Sequence, residues 1–161
     1  MIKAHTFSIV TIAFIQCISI AAFADTGRVI HVADGDTITI LNGKQKTKVR
    51  LAEIDAPESK QPYGKKAKQA LAGWIAGKMV TVEPVGKDRY GRTIGKVYLD
   101  NRYINAAMVE AGYAWFYRKY GKDKNLLELE SQARSARRGI WSVAHPIPPW
   151  EWRKHQYKSK N

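Results

Sequence analysis

Five of the fourteen acidic residues, Asp34, Asp36, Glu53, Asp55 and Glu58, fall between positions 34 and 58 of a chain whose formal net charge is +13. Crowded carboxylates repel one another unless a positive charge sits among them. A hard divalent cation would supply it, and an all-oxygen set suits Ca²⁺ or Mg²⁺. One cysteine, Cys17, and few histidines count against zinc. Arg50 stands just ahead of the second group of acids, in RLAEIDAPE. Arginine grips a phosphate with two donors and stabilises charge that builds in a transition state. A carboxylate just past the metal ligands can take a proton from an attacking water. Cation, arginine and free carboxylate together suit phosphodiester chemistry, and a cation reverses the sign of a cluster that would otherwise repel a polyanion. The same residues also fit a plain turn at Asp34-Gly35-Asp36 with Arg50 as a structural counter-ion. Spacing alone leaves both readings open.

The elements that must position these groups are short. Gly27–Ala33 and Thr37–Leu41 are β-branched runs, and Asn42-Gly43 is a strong two-residue hairpin signal before a return strand at Lys44–Leu51. Such a hairpin can fold Asp36 back towards Asp55. Pro57, Pro62 and Gly64 mark a loop. Ala67, Leu71, Trp74 and Ile75 follow at helical spacing, with Gly77 as a stop. Met79–Val85 and Thr93–Leu99 read as strands linked by Lys87–Arg92. Ile104–Ala111 reads as a short helix closed by Gly112, and Leu126, Leu129, Ala133, Ala136 and Ile140 recur at helical intervals. The tail from His145, rich in Pro, Trp and Lys, reads as irregular. Five strands with a helix after the third suggest an α+β, mainly β, domain built as an OB-fold barrel, whose open face binds oligonucleotides. A generic α+β domain gives much the same strand pattern.

The chain ends differ from its middle. Lys3 precedes an apolar run, Phe7 to Phe23, that closes on Ala22-Phe23-Ala24, the pattern of a secretory signal peptide cleaved after Ala24. A retained membrane anchor is the alternative. Cleavage leaves 137 of the 161 residues at a net charge of +12, with Cys17 gone and no disulfide possible. That is one domain, expected to be secreted or periplasmic, monomeric and without stable membrane insertion. Its charge implies a polyanionic partner, held by salt-dependent phosphate contacts if nucleic acid, or an anionic surface; a basic surface that only keeps the protein soluble is the plainer reading.

Taken together, VADGDTITI (Val32–Ile40), VRLAEIDAPE (Val49–Glu58), DRYGR (Asp88–Arg92), NAAMVEAGYA (Asn105–Ala114) and ARRGIWS (Ala136–Ser142), in that order, resemble the staphylococcal nuclease-like, or thermonuclease, family. The likeness spans about Gly27 to Ser142. It implies a five-stranded OB barrel with three helices, and Ca²⁺-dependent cleavage of single-stranded or frayed DNA and RNA to 3′-phosphate and 5′-hydroxyl ends. By position it implies Asp36 and Asp55 as carboxylate metal ligands and Ala56 as a ligand through its backbone carbonyl. Glu58 takes the place of the general base. Arg50 and Arg92 take those of the two phosphate-binding arginines, with Arg92 a candidate to assist the leaving oxygen. Arg89 and Tyr90 match contacts to a nucleotide's terminal phosphate. Tyr120 takes the place of the aromatic that packs on the base, with Tyr117 its rival. The resemblance thus divides the chain into a signal peptide, 1–24, a nuclease-like domain, 25–144, and a tail, 145–161.

The loop Ser59–Gly64 is shorter than the lysine-rich one of the staphylococcal protein, and the tail has no counterpart there. Asp34 is expected to orient its turn, and Glu53 to pair with a nearby Lys or Arg. His31 reads as a strand-face residue, and Trp74 and Trp141 as core. Trp150 and Trp152 could stack on bases or cap an apolar patch. Two other functions fit parts of the pattern: a noncatalytic OB-fold nucleic-acid binder, and a basic protein that uses its tail to bind anionic envelope polymers. Arg50, Glu58 and Arg92 argue against the first, and the second requires that the tail, not the acid cluster, governs binding.

Overall fold

The computed structural model describes residues 24–158. The expected signal peptide lies outside these residues apart from Ala24. Eight strands and four α-helices are present among them: β1 Asp25–Val32, β2 Thr37–Asn42, β3 Gln45–Leu51, β4 Ile54–Asp55, α1 Gly64–Ile75, β5 Met79–Lys87, β6 Thr93–Leu99, β7 Arg102–Tyr103, α2 Ile104–Glu110, β8 Trp115–Phe116, α3 Lys124–Ser135 and α4 Pro149–Lys158. A 3₁₀ turn, Gly139–Ser142, lies between α3 and α4.

Antiparallel pairing runs β3-β2-β1-β5-β6-β7, and a parallel ladder between β3 and β6 closes the sheet. β1, β2, β3, β5 and β6 therefore form the expected five-stranded barrel. The β2–β3 turn is Gly43-Lys44, one residue later than Asn42-Gly43, with Asn42 facing Gln45 across the ladder. Only the first turn residue, Gly43, needs a positive φ, 57°. Both β1 and β5 carry a register shift, at Val29/His31 and Pro84/Gly86, of the kind that lets a small sheet bend shut.

Inward-facing Val29, Ile38, Ile40, Val49, Leu51, Val80, Val82 and Val97 fill the barrel. α1 closes one end with Ala67, Leu71 and Ile75, which recur every four residues on one face. Asn105 is fully buried in α2. Its amide donates to Ala52 O at 3.0 Å and Gly95 O at 3.3 Å, and accepts from Val97 N at 3.0 Å. It thereby fixes the chain just ahead of Glu53–Glu58 to β6. Asn105→Ala leaves buried groups without partners and is expected to lower unfolding free energy by about 2–3 kcal/mol. Urea denaturation followed by circular dichroism checks this.

Two expectations change here. The third helix ends at Ser135 rather than running to Ile140, because Arg137 and Gly139 take positive φ values of 51° and 54°. Ile140 and Trp141 fall in the 3₁₀ turn, where they form a second apolar cluster with Trp115 and Ala133. The tail is also not irregular: Pro149 opens a fourth helix. Proline suits a first helical position, where no intrahelical N–H bond is required. The mainly-β α+β class stands, with one helix more than the three expected.

Candidate active site

Asp36 follows the tight turn that joins β1 to β2. Asp34 accepts the Asp36 amide at 3.0 Å and so orients the turn. Gly35 packs under it: a Cβ there would lie 2.7 Å from Ala56 Cβ and 2.8 Å from Ala67 Cβ. The close approach sets the Asp34–Asp36 turn against the Asp55–Ala56 segment. The Ala56 amide donates to Asp36 Oδ2 at 2.6 Å, so residues 20 positions apart meet directly. Asp55 comes from β4, whose pairing with β8 puts it opposite Trp115.

Arg50, near the end of β3, joins the two aspartates. Its Nη1 lies 3.1 Å from Asp36 Oδ2 and its Nη2 2.8 Å from Asp55 Oδ1. Nη1 also donates to Leu51 O at 3.1 Å and Ile54 O at 2.9 Å, which fixes the guanidinium plane. Asp36 and Asp55 are both buried. Burial pushes the Asp36 carboxyl up to about 8 against the pull of Arg50, and Asp34 and Asp55 push the same way. An acid so disfavoured as an anion gains from added positive charge.

Two buried carboxylates offer hard oxygen donors that fit Ca²⁺ or Mg²⁺, and the main-chain contact Ala56 makes here is through its amide N–H, to Asp36. No cluster of three or more His, Cys, Asp or Glu side chains is preassembled among the described residues. Water or phosphate oxygens would therefore have to complete the ion's shell.

Glu58 sits in the loop that leads to α1. Gln61 accepts its amide at 3.1 Å, and the Gln61 amide returns to Glu58 O at 2.8 Å. A Cβ at Gly64 would stand 1.9 Å from Glu58 O, so only glycine lets α1 begin beneath this loop. The Glu58 carboxylate is partly exposed and accepts from Arg153 Nη1 at 2.7 Å.

Arg92 directly precedes β6, at the barrel closure. The parallel ladder sets Thr93 beside Val49 and Ile94 beside Arg50, so Arg92 enters the strand next to the one that carries Arg50. Asp88 organises the approach, accepting the amides of Tyr90 and Arg92 and the Arg92 Nε at 2.6 Å. Burial opposes ionisation of Asp88, yet these bonds hold it below the usual carboxylate range. Arg89 and Tyr90 project from the same turn, bonded to each other at 2.7 Å, with Tyr90 exposed. Tyr117 and Tyr120 meet edge to face at 5.0 Å. Trp150 lies parallel on Tyr117, rings 5.3 Å apart and 6° from coplanar, which covers one face of Tyr117. Tyr120 is 63 % exposed.

The structure therefore joins Asp36, Asp55, Ala56 and Arg50 directly, links Glu58 to Asp55 through Arg153, and places Arg92 just ahead of the strand that pairs with β3. Arg89, Tyr90 and Tyr120 stand on surrounding surface. Arg153 was not foreseen: it donates to both Asp55 oxygens, at 3.3 and 2.8 Å, and to Glu58. Pro149 was the available signal for the helix that carries it. Glu53 also differs from expectation. Its carboxylate accepts the Lys122 amide at 2.8 Å and so ties down the chain ahead of α3.

Comparison with known proteins bears on the whole of this region. The profile of the family described as Staphylococcal nuclease homologue matches residues 48–143. A protein of Shigella flexneri named micrococcal nuclease is 43% identical over 164 residues, covering 94% of each chain. An uncharacterized endonuclease of Escherichia coli O157:H7 is 47% identical over 128 residues, 79% of this chain and 84% of the relative. Protein ParB of Escherichia coli is 45% identical over 139 residues, 80% and 78% respectively.

Proposed function

The chain belongs to the staphylococcal nuclease homologue family and is a metal-dependent nuclease, and from that premise we propose that it is an exported, Ca²⁺-dependent enzyme with little sequence specificity that cleaves DNA and RNA to 3′-phosphate and 5′-hydroxyl ends. The observation that carries the reading is a single guanidinium, Arg50, touching two buried aspartates, one from the β1–β2 turn and one from β4. Nothing in a binding module requires that arrangement, with a partly exposed glutamate beside it.

Asp36 and Asp55, with the Ala56 carbonyl, would hold the ion. Bound Ca²⁺ would supply positive charge for the phosphate and polarise it. Arg50, on β3, and Arg92, just before β6, grip the phosphate oxygens and stabilise the charge of the five-coordinate state. Glu58 takes a proton from the attacking water as its oxygen bonds to phosphorus. The P–O5′ bond breaks, and the 5′ oxygen leaves as a hydroxyl after taking up a proton. Arg89 and Tyr90 contact a flanking phosphate. Tyr120, with Tyr117, offers base stacking, which tolerates any sequence and favours single-stranded or frayed substrate.

Export follows from the segment ending at Ala24, and the mature chain works as a monomer. Among the described residues no helix is long and apolar enough to cross a membrane. Incubating the mature chain with denatured DNA, with Ca²⁺ or with chelator, tests the reading. Degradation confined to the Ca²⁺ lane supports it. A mobility shift without cleavage in both lanes favours a noncatalytic binder.

A further inference from the structure

α4 reaches the candidate site from a fixed foot. Gln61, which also accepts the Glu58 amide, donates to Ile147 O at 2.6 Å just before the helix. Trp150 packs on the cluster of Trp115, Ala133, Ile140 and Trp141, and stacks on Tyr117. Residue 153 lies one turn on, along the same side of the helix. These anchors aim Arg153 at Asp55 and Glu58.

The two guanidiniums on Asp55 are not equivalent. Arg50 is 16 % exposed and is also bound to two backbone carbonyls. Arg153 is 43 % exposed and holds Asp55 and Glu58 through their carboxylates. A cavity of about 340 Å³, lined in part by Glu58, Lys60 and Trp152, opens on one side of Arg153. Another of about 680 Å³, lined in part by Arg89, Tyr117 and Lys154, also borders it. Arg153 lines both.

We propose that Arg153 is an internal counter-ion for the cation site: it neutralises Asp55 and Glu58 in the cation-free chain, and a divalent cation must displace it to bind. This rests on the reading that Asp36 and Asp55 hold the ion. Arg153 thereby sets the cation concentration at which the site fills, and it frees Glu58 only when the ion is in place.

The test is calorimetric titration of Ca²⁺ into the full mature chain without nucleic acid, for wild type, Arg153→Gln, Arg153→Lys and Asp55→Asn. Arg153→Gln is expected to bind Ca²⁺ about fivefold tighter or more, the factor that ~1 kcal/mol of displaced ion pairing converts to. Arg153→Lys is expected to fall between, since a lysine keeps the charge without the fork. By linkage, the Tm gain on adding Ca²⁺ is larger in Arg153→Gln than in wild type, a comparison internal to each variant and so insensitive to a general loss of stability. Equal or weaker binding by Arg153→Gln, with Asp55→Asn still abolishing binding, overturns the counter-ion role and leaves the cation site standing. Binding in none of the proteins, or binding unaffected by Asp55→Asn, overturns the cation site and the role of Arg153 with it.

Discussion

Glu58→Gln is expected to lower kcat by about 10²- to 10⁴-fold while leaving affinity for denatured DNA nearly unchanged. The amide matches the carboxylate in shape but takes up no proton from water. The loop should keep its path, because it is held through the main chain: the Glu58 amide to Gln61, its carbonyl to the Gln61 amide, and Gly64 packed beneath it. Phosphate binding rests on arginines outside this loop, so KM should move little. Single-turnover cleavage with Ca²⁺, alongside fluorescence-polarisation binding to a labelled strand, separates the two quantities. A rate within a few-fold of wild type would remove Glu58 from the chemistry.

Arg50→Lys is expected to be as damaging, for two separable reasons. The native guanidinium spans Asp36, Asp55 and two backbone carbonyls at once. An ammonium is a point charge that cannot satisfy this fork. Buried acceptors left without donors should lower stability by about 1–3 kcal/mol. Loss of a two-donor grip on the transition state should cost about 10²- to 10³-fold in kcat/KM. Ca²⁺ would restore part of the stability by neutralising Asp36 and Asp55, but it cannot restore the phosphate grip. Thermal melts and initial rates, each across a Ca²⁺ series, distinguish the two. Recovery of the rate in step with the Tm would assign Arg50 a structural role alone.

The barrel was legible because its signals are local. β-branched runs, a glycine turn and the switch to helical spacing after Gly64 depend on near neighbours, and the five strands lie where those runs are. The Asp36–Asp55 meeting was legible only as a possibility, since the hairpin could bring the two together but spacing cannot exclude a simple turn. What decides the geometry is tertiary: Gly35 wedged against Ala56 and Ala67, and Asn105 pinning Ala52 to β6. The end of α3 was misplaced because periodicity continues through Ile140 while the backbone reverses at Arg137 and Gly139. α4 is not legible in the tail's Pro-, Trp- and Lys-rich composition, which reads as irregular, although Pro149 occupies a helical position that favours proline. With α4 went Arg153, whose role depends on a contact 98 residues away in sequence.

The central claim is that Asp36 and Asp55 hold one divalent cation beside the phosphate gripped by Arg50. Its most direct measurement is a crystal structure of the mature chain with Ca²⁺ and a short non-hydrolysable oligonucleotide, with anomalous scattering to locate the ion. The account predicts a calcium peak bonded to carboxylate oxygens of both aspartates and to a phosphate oxygen that Arg50 also contacts. A phosphate bound at Arg50 with no ion between Asp36 and Asp55, or an ion held elsewhere on the chain, would contradict it.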